Sequence, residues 1–576
     1  MDATAPQVFK FGDFVLDIGH RSLTRRGGRA LPLRPKVFET LIYLVRHHGQ
    51  ALTKQEIMRG VWGHEFIEEN NLNQHISTLR DVLGDTRGNP HYIATLPRHG
   101  YCFVADVGVD LLTGADNPVR TLAILPFESL DASQCDSALE FGMADALIRR
   151  LSALPEMIVR PLASVRQYAS TAGDPRQIGG ELGVDAILSG TIGRSGTQVR
   201  IGIRLLHCAS GRQLWAETFD EPWTELLAVE DRISQRVATA VAPHLAAASK
   251  SELARRPTTN LEAYELYLRG CYHAGKVSPE GINTALGFFQ QAIERDPDFA
   301  LAHVGLADIW RMLPIARDVP PHDVFPKAKE AIAAALCIDP MCAEAHTLSG
   351  FIGLWYDWDW EASERSLRTA IAINPGHAEA RLGYAHLLSH LGRHDEALSQ
   401  VEQARGLDPF SLRINALEGM FLFYAGRIDA AYTRLHRALE LESGFWVANV
   451  QLAKVQITRG EIVATERSLA IAGQGSGGNS EVPSLLAYAR GVAGDIAGGN
   501  AALHELEARA RLRYVPPYNL AIAYLGLGRV DDAFACLESA KDDRDVRLTS
   551  IRVEPKWNTV RGDARFGKIV RDLRLD

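Results

Sequence analysis

The sequence lacks the patterns that mark a disulfide framework, a zinc site or a membrane protein. It has seven cysteines, an odd number, and contains no C-x-x-C pair. We therefore expect reduced thiols in a cytoplasmic protein that holds no metal. No run of 18 apolar residues occurs, and the N-terminal stretch MDATAPQVFKFGDF lacks the basic and apolar regions of a signal peptide. The sequence therefore predicts no membrane association.

Signatures of catalysis are missing as well. The sequence contains no G-x-x-x-x-G-K-[ST], H-E-x-x-H or G-x-S-x-G pattern and no protein-kinase signature. The glycine-rich stretch 473–483 could cradle a phosphate, but no predicted strand precedes it and no Lys-Ser/Thr follows it, so a loop is the better interpretation. We expect no enzyme, no catalytic residue and no cofactor.

Positive charges are outnumbered by negative ones, with 62 Lys+Arg against 70 Asp+Glu. The net charge is −8, which excludes attraction of nucleic acid over the whole surface. Residues 1–106 contain 13 Lys+Arg against 11 Asp+Glu, a net of +2. This balance permits a local DNA-binding patch without demonstrating one. At 576 residues the chain is too long for one hydrophobic core, so three or more domains are expected.

Residues 1–106 contain the elements of a small α+β domain. Short alternating segments before residue 32 predict an antiparallel sheet. A helix is predicted from Pro35 to His48, and Thr53 with Glu56 forms a capping box that starts a second helix. A third helix follows, and two alternating runs near residues 91–105 predict a hairpin. Sheet, helix, helix, loop, helix and hairpin together predict a winged helix-turn-helix.

The third helix, residues 70–83, has two different faces. Its apolar face is Leu72, Ile76, Leu79 and Leu83, and its polar face is Asn70, Asn73, Gln74, Ser77 and Arg80. Amides, a hydroxyl and a guanidinium suit base edges and phosphates in a DNA major groove. An ordinary solvated helix face is the alternative that this pattern alone leaves open, and Asn70 also fits a helix N-cap.

The domain resembles the effector domain of the OmpR/PhoB family of bacterial phosphorelay regulators. The matching stretches are FGDFVLD, LPLRPKVFETLIYL, LTKQEIMRGVW, HISTLRDVLGD and YIATLPRHGYCF. The resemblance implies major-groove contacts from Asn73, Gln74, Ser77 and Arg80. It also implies a minor-groove or phosphate contact from Arg98 and an RNA polymerase contact from the loop 62–69. The domain starts at the first residues, so we expect regulatory input from the C-terminal side and not from a preceding receiver.

A polar stretch, residues 107–118, is predicted to be a linker. Residues 119–246 alternate predicted strands and helices, which indicates a small α/β domain. The runs LAILPF, GVDAILSGTIGRSGTQVRIGIRLL and GRQLWAETFD resemble the N-terminal domain fold of TolB. Ligand binding, protein binding and a purely structural spacer all remain open for this domain.

Residues 261–576 are repetitive. Asp-Pro or Asn-Pro recurs at Pro297, Pro340, Pro375 and Pro409, and the recurring period of about 34 residues is that of tetratricopeptide repeats. Such repeats form an all-α solenoid whose concave groove, lined by the first helix of each pair, binds proteins. We expect a protein partner, or a second copy of the chain, at these repeats.

The order of these regions resembles that of the soluble one-component virulence and invasion regulators of Gram-negative bacteria. The leading hypothesis is a cytoplasmic transcriptional regulator that binds double-stranded DNA, as a dimer on two half-sites about one helical turn apart. The alternative is an interaction scaffold whose winged helix binds protein. A third possibility is regulation by a metabolite bound at residues 119–246.

Overall fold

The chain folds into two compact units, Met1–Asn117 and Pro118–Asp576. In this computed structural model the structure describes residues 7–17, 22–25, 30–31, 33, 35–62, 69–85, 90–96, 99–111, 119–130, 137–154, 157–169, 174–241, 256–275 and 279–575. A winged-helix domain, a mixed-sheet region and an all-helical repeat array follow one another along the chain, as predicted.

A sheet of short antiparallel strands opens the first unit. Its strands are β1 (Gln7–Phe11), β2 (Phe14–Asp17), β3 (Ser22–Arg25), β4 (Ala30–Leu31) and β8 (Gly108–Leu111), in the order β4-β3-β2-β1-β8. The last strand falls inside the stretch that the sequence assigned to a linker. Val109 pairs with Phe9 of β1. Backbone hydrogen bonding to an open sheet edge thus overrides the polar composition of this stretch.

Three helices and a hairpin complete the unit. They are α1 (Pro35–Arg46), α2 (Lys54–Trp62), α3 (Glu69–Leu83), and the strands β5 (Leu52–Thr53), β6 (Ile93–Leu96) and β7 (Gly100–Phe103), paired in the order β5-β7-β6. The capping box is confirmed, because the backbone N–H of Thr53 donates to Glu56 Oε2 at 2.7 Å and that of Glu56 donates to Thr53 Oγ1 at 3.2 Å. These two hydrogen bonds fix where α2 begins.

Two glycines permit close packing around these helices. A Cβ on Gly60 of α2 would lie 2.0 Å from the ring of Tyr43 on α1. A Cβ on Gly100 would lie 2.0 Å from the carbonyl oxygen of Leu52, which belongs to the neighbouring strand β5. The two helices and the two strands can approach this closely only because these positions lack a side chain.

A mixed sheet begins the second unit. Its strands are β9 (Thr121–Ile124), β10 (Glu128–Ser129), β11 (Ile158–Val159), β12 (Ala186–Ser195), β13 (Gln198–His207) and β14 (Gln213–Pro222). The order is β11-β9-β12-β13-β14, with β10 beside β12. The first pairings are parallel, and the long hairpin strands β12, β13 and β14 are antiparallel. The three long strands occur where the sequence predicts them.

Four helices pack with this sheet around one hydrophobic core. They are α4 (Ser137–Ser152), α5 (Leu162–Val165), α6 (Pro175–Leu182) and α7 (Leu226–Val241). Asp174 caps α6 by accepting from the N–H of Arg176, and Gly183 ends that helix at φ 59°. The short helix α5 and strand β10 were not predicted, because two- and four-residue elements carry too little periodicity to detect.

Eight helix pairs follow within the described residues, and we number them repeats 1 to 8. Repeats 1 to 4 are α8 (Leu261–Ala274) with α9 (Pro279–Arg295), α10 (Ala300–Arg317) with α11 (Pro321–Ile338), α12 (Ala343–Ile352) with α13 (Trp360–Ile373), and α14 (Ala378–His390) with α15 (His394–Leu407). Repeats 5 to 8 are α16 (Leu412–Tyr424) with α17 (Ile428–Leu441), α18 (Trp446–Thr458) with α19 (Ile462–Gly475), α20 (Glu481–Val492) with α21 (Ile496–Ala510), and α22 (Pro517–Gly526) with α23 (Val530–Asp542).

Small residues lie where the helices of each pair come together. Ala397 and Ala404 of α15 are fully buried, as are Ala431 and Ala438 of α17. A Cβ on Gly419 would lie 2.5 Å from the side chain of Leu435 across the pair. The positions picked out by the 34-residue period are therefore the contact positions of the helix pairs. This is the packing expected of tetratricopeptide repeats.

Two stretches rich in proline or glycine lie within the array. The stretch 312–325 contains three prolines, yet it lengthens α10 and α11 and leaves only residues 318–320 between them. In the glycine-rich stretch 473–483, residues 476–480 form the predicted loop, which connects α19, ending at Gly475, to α20, beginning at Glu481. At 312–325, by contrast, helix packing against neighbours outweighs the local proline content.

The α/β region is joined to the repeats by a polar contact. The Arg160 guanidinium donates to the carbonyls of Gly406 and Leu407, both at 3.0 Å. The Ser164 hydroxyl donates to Asp408 Oδ1 at 2.5 Å. These groups are buried or nearly so. The α/β region and the array therefore share one compact unit, with the turn after α15 held by α5 and its flanking residues.

Candidate nucleic-acid interface

Helix α3 presents a continuous polar face to solvent. Leu72, Ile76, Leu79 and Leu83 are buried in the core of the first unit. Asn73, Gln74 and Ser77 are exposed. Among the described residues, none forms a hydrogen bond with the side chains of Gln74 or Ser77. Two amides and a hydroxyl thus stand together on one helix face, available to both donors and acceptors.

The hairpin holds one of these amides in place. The hydroxyl of Tyr101, on β7, donates to Asn73 Oδ1 at 2.9 Å. This bond uses the carbonyl end of the Asn73 side chain, so its NH₂ group is the end turned toward other acceptors. An amide that is held in one orientation loses less side-chain entropy on binding than a freely rotating one.

Arg80 is not placed as the sequence predicts. Its side chain is 6% exposed, and its guanidinium donates to the carbonyl of Ile93 and to Thr95 Oγ1, each at 2.7 Å. Both partners belong to β6. The helical wheel explains the difference, because Arg80 lies only about 40° around the helix from buried Ile76. We revise its assignment from a DNA contact to a residue that joins α3 to the hairpin.

Asp85 makes a second joint between α3 and the hairpin. It follows Gly84, which ends the helix at φ 69°. Its carboxylate accepts backbone N–H groups of His91 and Ile93, both at 2.7 Å. Charge-assisted hydrogen bonds of this kind are stronger than neutral ones. Arg80 and Asp85 together therefore fix the hairpin relative to the exposed face of α3.

His75 connects α3 to the other two helices of the unit, since it contacts Thr40 of α1 and Trp62 of α2. Its Nδ1 lies 3.0 Å from Thr40 Oγ1, whose own hydrogen is donated to the carbonyl of Lys36. Its ring lies 5.1 Å from that of Trp62. Burial lowers the pKa of His75, so the imidazole is neutral at pH 7. It therefore adds no positive charge to the face of α3.

Two of the predicted contact regions cannot be placed. Arg98 lies outside the described residues, and so does the part of the loop 62–69 between Gly63 and Glu68. In α3 itself the one lysine or arginine is Arg80, and Asp81 is exposed. The exposed surface of α3 therefore offers hydrogen-bonding groups but no guanidinium or ammonium group.

The described residues show no metal cluster, no membrane-spanning helix and no disulfide bond. They contain no group of three or more His, Cys, Asp or Glu side chains arranged to hold a metal ion. No described helix combines the length and the apolar character needed to cross a membrane. Cys102, Cys208, Cys271, Cys337, Cys342 and Cys536 are free thiols.

Three family models match consecutive parts of the chain. Residues 28–103 match "Transcriptional regulatory protein, C terminal". The N-terminal unit is a winged-helix domain that is similar to this family over residues 28–103. Residues 118–236 match "HilA/YgeH-like transcriptional regulator, second domain", and residues 359–420 match "Tetratricopeptide repeat". The expectations of an OmpR/PhoB-type domain and of tetratricopeptide repeats are confirmed, while the likeness of the middle region to TolB stays a prediction.

The curated relatives include two transcription regulators and one putative enzyme. The transcriptional regulator HilA of Salmonella typhimurium is 24% identical over 431 residues, which are 73% of this chain and 74% of HilA. The transcriptional activator CadC of Escherichia coli K12 is 35% identical over 83 residues, 14% of this chain and 16% of CadC. A putative adenylate cyclase 3 of Rhizobium meliloti is 26% identical over 189 residues, 33% of this chain and 32% of that protein.

The sequence pattern identified the polar face but missed the residues that orient it. From the sequence alone, Tyr101 belongs only to a predicted hairpin, and no role is predicted for Asp85. Their spacing from Asn73 and from β6 is set by the tertiary fold. The one local signal is the sequence LGD at 83–85, where a glycine helix end precedes a carboxylate.

Proposed function

We propose that this chain is a DNA-binding transcriptional regulator in which α3 reads double-stranded DNA. The observation that carries the proposal is the exposed set of Asn73, Gln74 and Ser77, with Asn73 oriented by Tyr101. Amide side chains can pair with the N6 and N7 edge of adenine in a major groove, and a hydroxyl can pair with several base edges. The relatives HilA and CadC are named as a transcriptional regulator and a transcriptional activator.

Contacts outside the described residues complete this proposal. Arg98, between β6 and β7, would reach a minor groove or a phosphate. The loop 62–69 would contact RNA polymerase. Both assignments rest on the family resemblance and on where these residues stand in the sequence, Arg98 between β6 and β7 and the loop before α3. Because α3 exposes no cation, most of the sequence-independent affinity must come from Arg98 and from other cations of the unit.

The repeats would supply the regulatory input. Tetratricopeptide repeats mediate protein interactions, so we propose that this array binds a protein partner or a second copy of the chain. Two copies on half-sites about one turn apart would compensate for the weak charge of a single domain. We place this regulator in the cytoplasm and assign it no enzymatic activity.

An interaction scaffold remains the second candidate, and the charge of α3 favours it. Phosphate-binding helices usually present arginine or lysine, whereas this helix exposes Asp81 and buries Arg80. In the scaffold, the same polar face would bind a protein surface.

A mobility-shift titration of the full chain on its own promoter region separates the two candidates. The regulator predicts a shift that weakens steeply as salt rises, because counterions are released from DNA on binding. Gln74→Ala should weaken the shift, whereas Gln50→Ala, an exposed glutamine outside α3, should not. If the wild-type chain produces no salt-sensitive shift on any promoter fragment, the scaffold is favoured.

A further inference from the structure

The residues that follow repeat 8 pack against the repeat array. Residues 543–575, here called the post-repeat segment, form two short 3₁₀ helices, Val546–Ser550 and Pro555–Val560, and the helix α24 (Ala564–Asp572). Val546, Leu548 and Ile551 belong to the same apolar cluster as residues of repeats 2 and 3. The 3₁₀ helix Val546–Ser550 also contacts residues 353–357 of repeat 3 directly, although these lie almost 200 positions earlier in the sequence.

Most polar partners of this segment lie on first helices or at their ends. The Arg547 guanidinium donates to the carbonyl of Ile315, at the end of α10, at 3.2 Å. The Tyr424 hydroxyl, on α16, donates to Glu554 Oε2 at 3.4 Å. The Arg544 guanidinium donates to the carbonyl of Tyr356, which follows α12. On α22, the backbone N–H of Tyr518 donates to Asp545, and the Tyr518 hydroxyl accepts from Trp557 Nε1. First helices line the concave face of a repeat array, so residues 543–560 of the segment occupy that face. The rest of the segment, α24, instead pairs with the second helix α23 through Lys541–Asp572 and Lys568–Glu538.

Arg547 is the charged anchor of the segment. Its guanidinium lies 3.5 Å from Asp318 of repeat 2, 3.9 Å from Glu481 of repeat 7 and 4.0 Å from Asp545 of the segment itself. Asp318 is 1% exposed on its side chain. Its Oδ2 also accepts the backbone N–H of Ser480 at 2.8 Å. Two repeats that are far apart in sequence thus contribute carboxylates to one pocket. Arg547 and the Lys454 ammonium, which lies 2.7 Å from Glu481, balance the charge of these carboxylates.

The charges of the pocket suit an arginine. Burial alone would raise the pKa of Glu481, but Lys454 and Arg547 outweigh burial and lower that pKa to about 2. Glu481 is therefore an anion at every physiological pH. A planar guanidinium can bond several carboxylate and carbonyl oxygens at once, which an ammonium group cannot do in the same geometry.

We propose that the concave face of repeats 2 to 8 is a binding surface for an arginine-bearing peptide segment. Residues 543–560 of the post-repeat segment occupy this surface in the chain as it stands. A protein partner binds there by displacing Arg547 from the pocket formed by Asp318 and Glu481. This inference rests on the proposed function of the repeats as the input region. The partner is recognised by one arginine flanked by apolar residues, as in VRLTSI at 546–551. Displacement would expose the surface that joins repeats 2 and 7.

Peptide exchange on the full chain tests this proposal. The probe is a fluorescent peptide of residues 543–560, titrated into wild-type, Arg547→Ala and Arg571→Ala chains. Removing one partner of a buried charge pair should weaken the resident segment, so the Arg547→Ala chain should bind the peptide about 30-fold or more tightly than the wild-type chain does. Arg571 is exposed on α24 of the same segment, so Arg571→Ala should behave as wild type. A peptide carrying Arg547→Ala should lose binding.

Hydrogen exchange on the same chains separates displacement from general loosening. In Arg547→Ala, amides of 545–551 should exchange faster while those of α14 and α16 stay protected. Arg547→Lys serves as the second variant if Arg547→Ala does not fold, and it should show the same selective increase. Equal peptide binding by wild-type and variant chains, equal binding of the arginine-free peptide, or loss of protection throughout the array would overturn the proposal. Neither readout involves DNA, so a chain that exchanges the peptide but binds no DNA contradicts only the proposed function.

Discussion

The hydroxyl of Tyr101 donates a hydrogen bond to Oδ1 of Asn73 at 2.9 Å. Tyr101 belongs to the hairpin and Asn73 to the exposed face of α3, so the two parts of the winged helix meet at this bond. It orients the Asn73 amide before any DNA is bound. The polar face of α3 is thus held in place by the fold and is not simply exposed to solvent.

Removing that hydroxyl should weaken sequence-specific binding. In Tyr101→Phe the Asn73 amide is free to rotate, and the loss of one neutral hydrogen bond corresponds to about 1 kcal/mol, or roughly fivefold in affinity. Fluorescence anisotropy should show this loss on the specific site and no change on unrelated DNA. Tyr92→Phe, a tyrosine of the same unit whose hydroxyl lies beside Gly12, is the control. Equal loss on both DNAs would show that Tyr101 does not act through Asn73.

Arg80→Ala should destabilise the first unit. The substitution leaves the Ile93 carbonyl and Thr95 Oγ1 without their charged donor, which costs about 2–3 kcal/mol in a buried site. Urea denaturation of residues 1–117 measures this change. Ser77→Ala, on the exposed face of the same helix, should change the free energy of unfolding by less than about 0.5 kcal/mol. A fully stable Arg80→Ala unit with weakened DNA binding would restore Arg80 as a DNA contact.

The sequence pattern predicts the exposure of Gln74 correctly but not the burial of Arg80. Helical periodicity places Gln74 opposite the apolar face, and the structure exposes it. Arg80 lies at the border of that face, where the neighbouring strand decides its environment. Periodicity within one helix contains no information about where β6 lies.

In the repeats, too, the sequence pattern predicts contacts between neighbouring elements but not contacts between distant ones. The 34-residue period predicted the helix pairs, because each repeat packs on its sequence neighbours. The contact between Arg547 and Asp318 joins residues more than 200 positions apart. It depends on the accumulated curvature of the array, which no local pattern records.

The junction between the α/β region and the repeats should depend on Ser164. Its hydroxyl donates to Asp408, whose pKa is raised mainly by burial. Ser164→Ala leaves this buried carboxyl without the donor and should cost about 2 kcal/mol. Hydrogen exchange should then increase at 157–168 and 404–410 in the full chain. Ser195→Ala, an exposed serine at the end of β12, should leave both regions unchanged, and unchanged exchange in Ser164→Ala would refute this role.

Two buried histidines should make the array sensitive to acid. His386 and His390 on α14 are 9% and 3% exposed, and their rings lie 4.5 Å apart. Burial first, and Arg311 second, lower the pKa of His386 to about 3; burial and then His386 lower that of His390. The ring of Tyr424 lies 6.1 Å from that of His390. Both imidazoles are therefore neutral in the folded chain.

Acid should destabilise the folded array, because its two buried histidines take up protons only when the chain unfolds. The unfolded chain binds protons at these histidines below about pH 6.5 and the folded chain does not, so stability falls by up to about 1.4 kcal/mol per histidine for each further pH unit. The melting temperature should drop between pH 7.5 and 5.5, and the double substitution His386→Phe with His390→Phe should reduce that drop. His436→Phe, an exposed histidine on α17, should not reduce it. An equal drop in all three chains would contradict neutral buried histidines.

The most direct test of DNA reading by α3 is selection of genomic fragments by the full chain, compared with the double variant Asn73→Ala with Gln74→Ala. The wild-type chain should enrich a common sequence motif. The variant should lose that enrichment while keeping salt-dependent binding to unrelated DNA, because phosphate contacts carry affinity and base contacts carry specificity. If the variant enriches the same motif as strongly as the wild type, or if the wild type enriches none, the polar face of α3 does not read DNA.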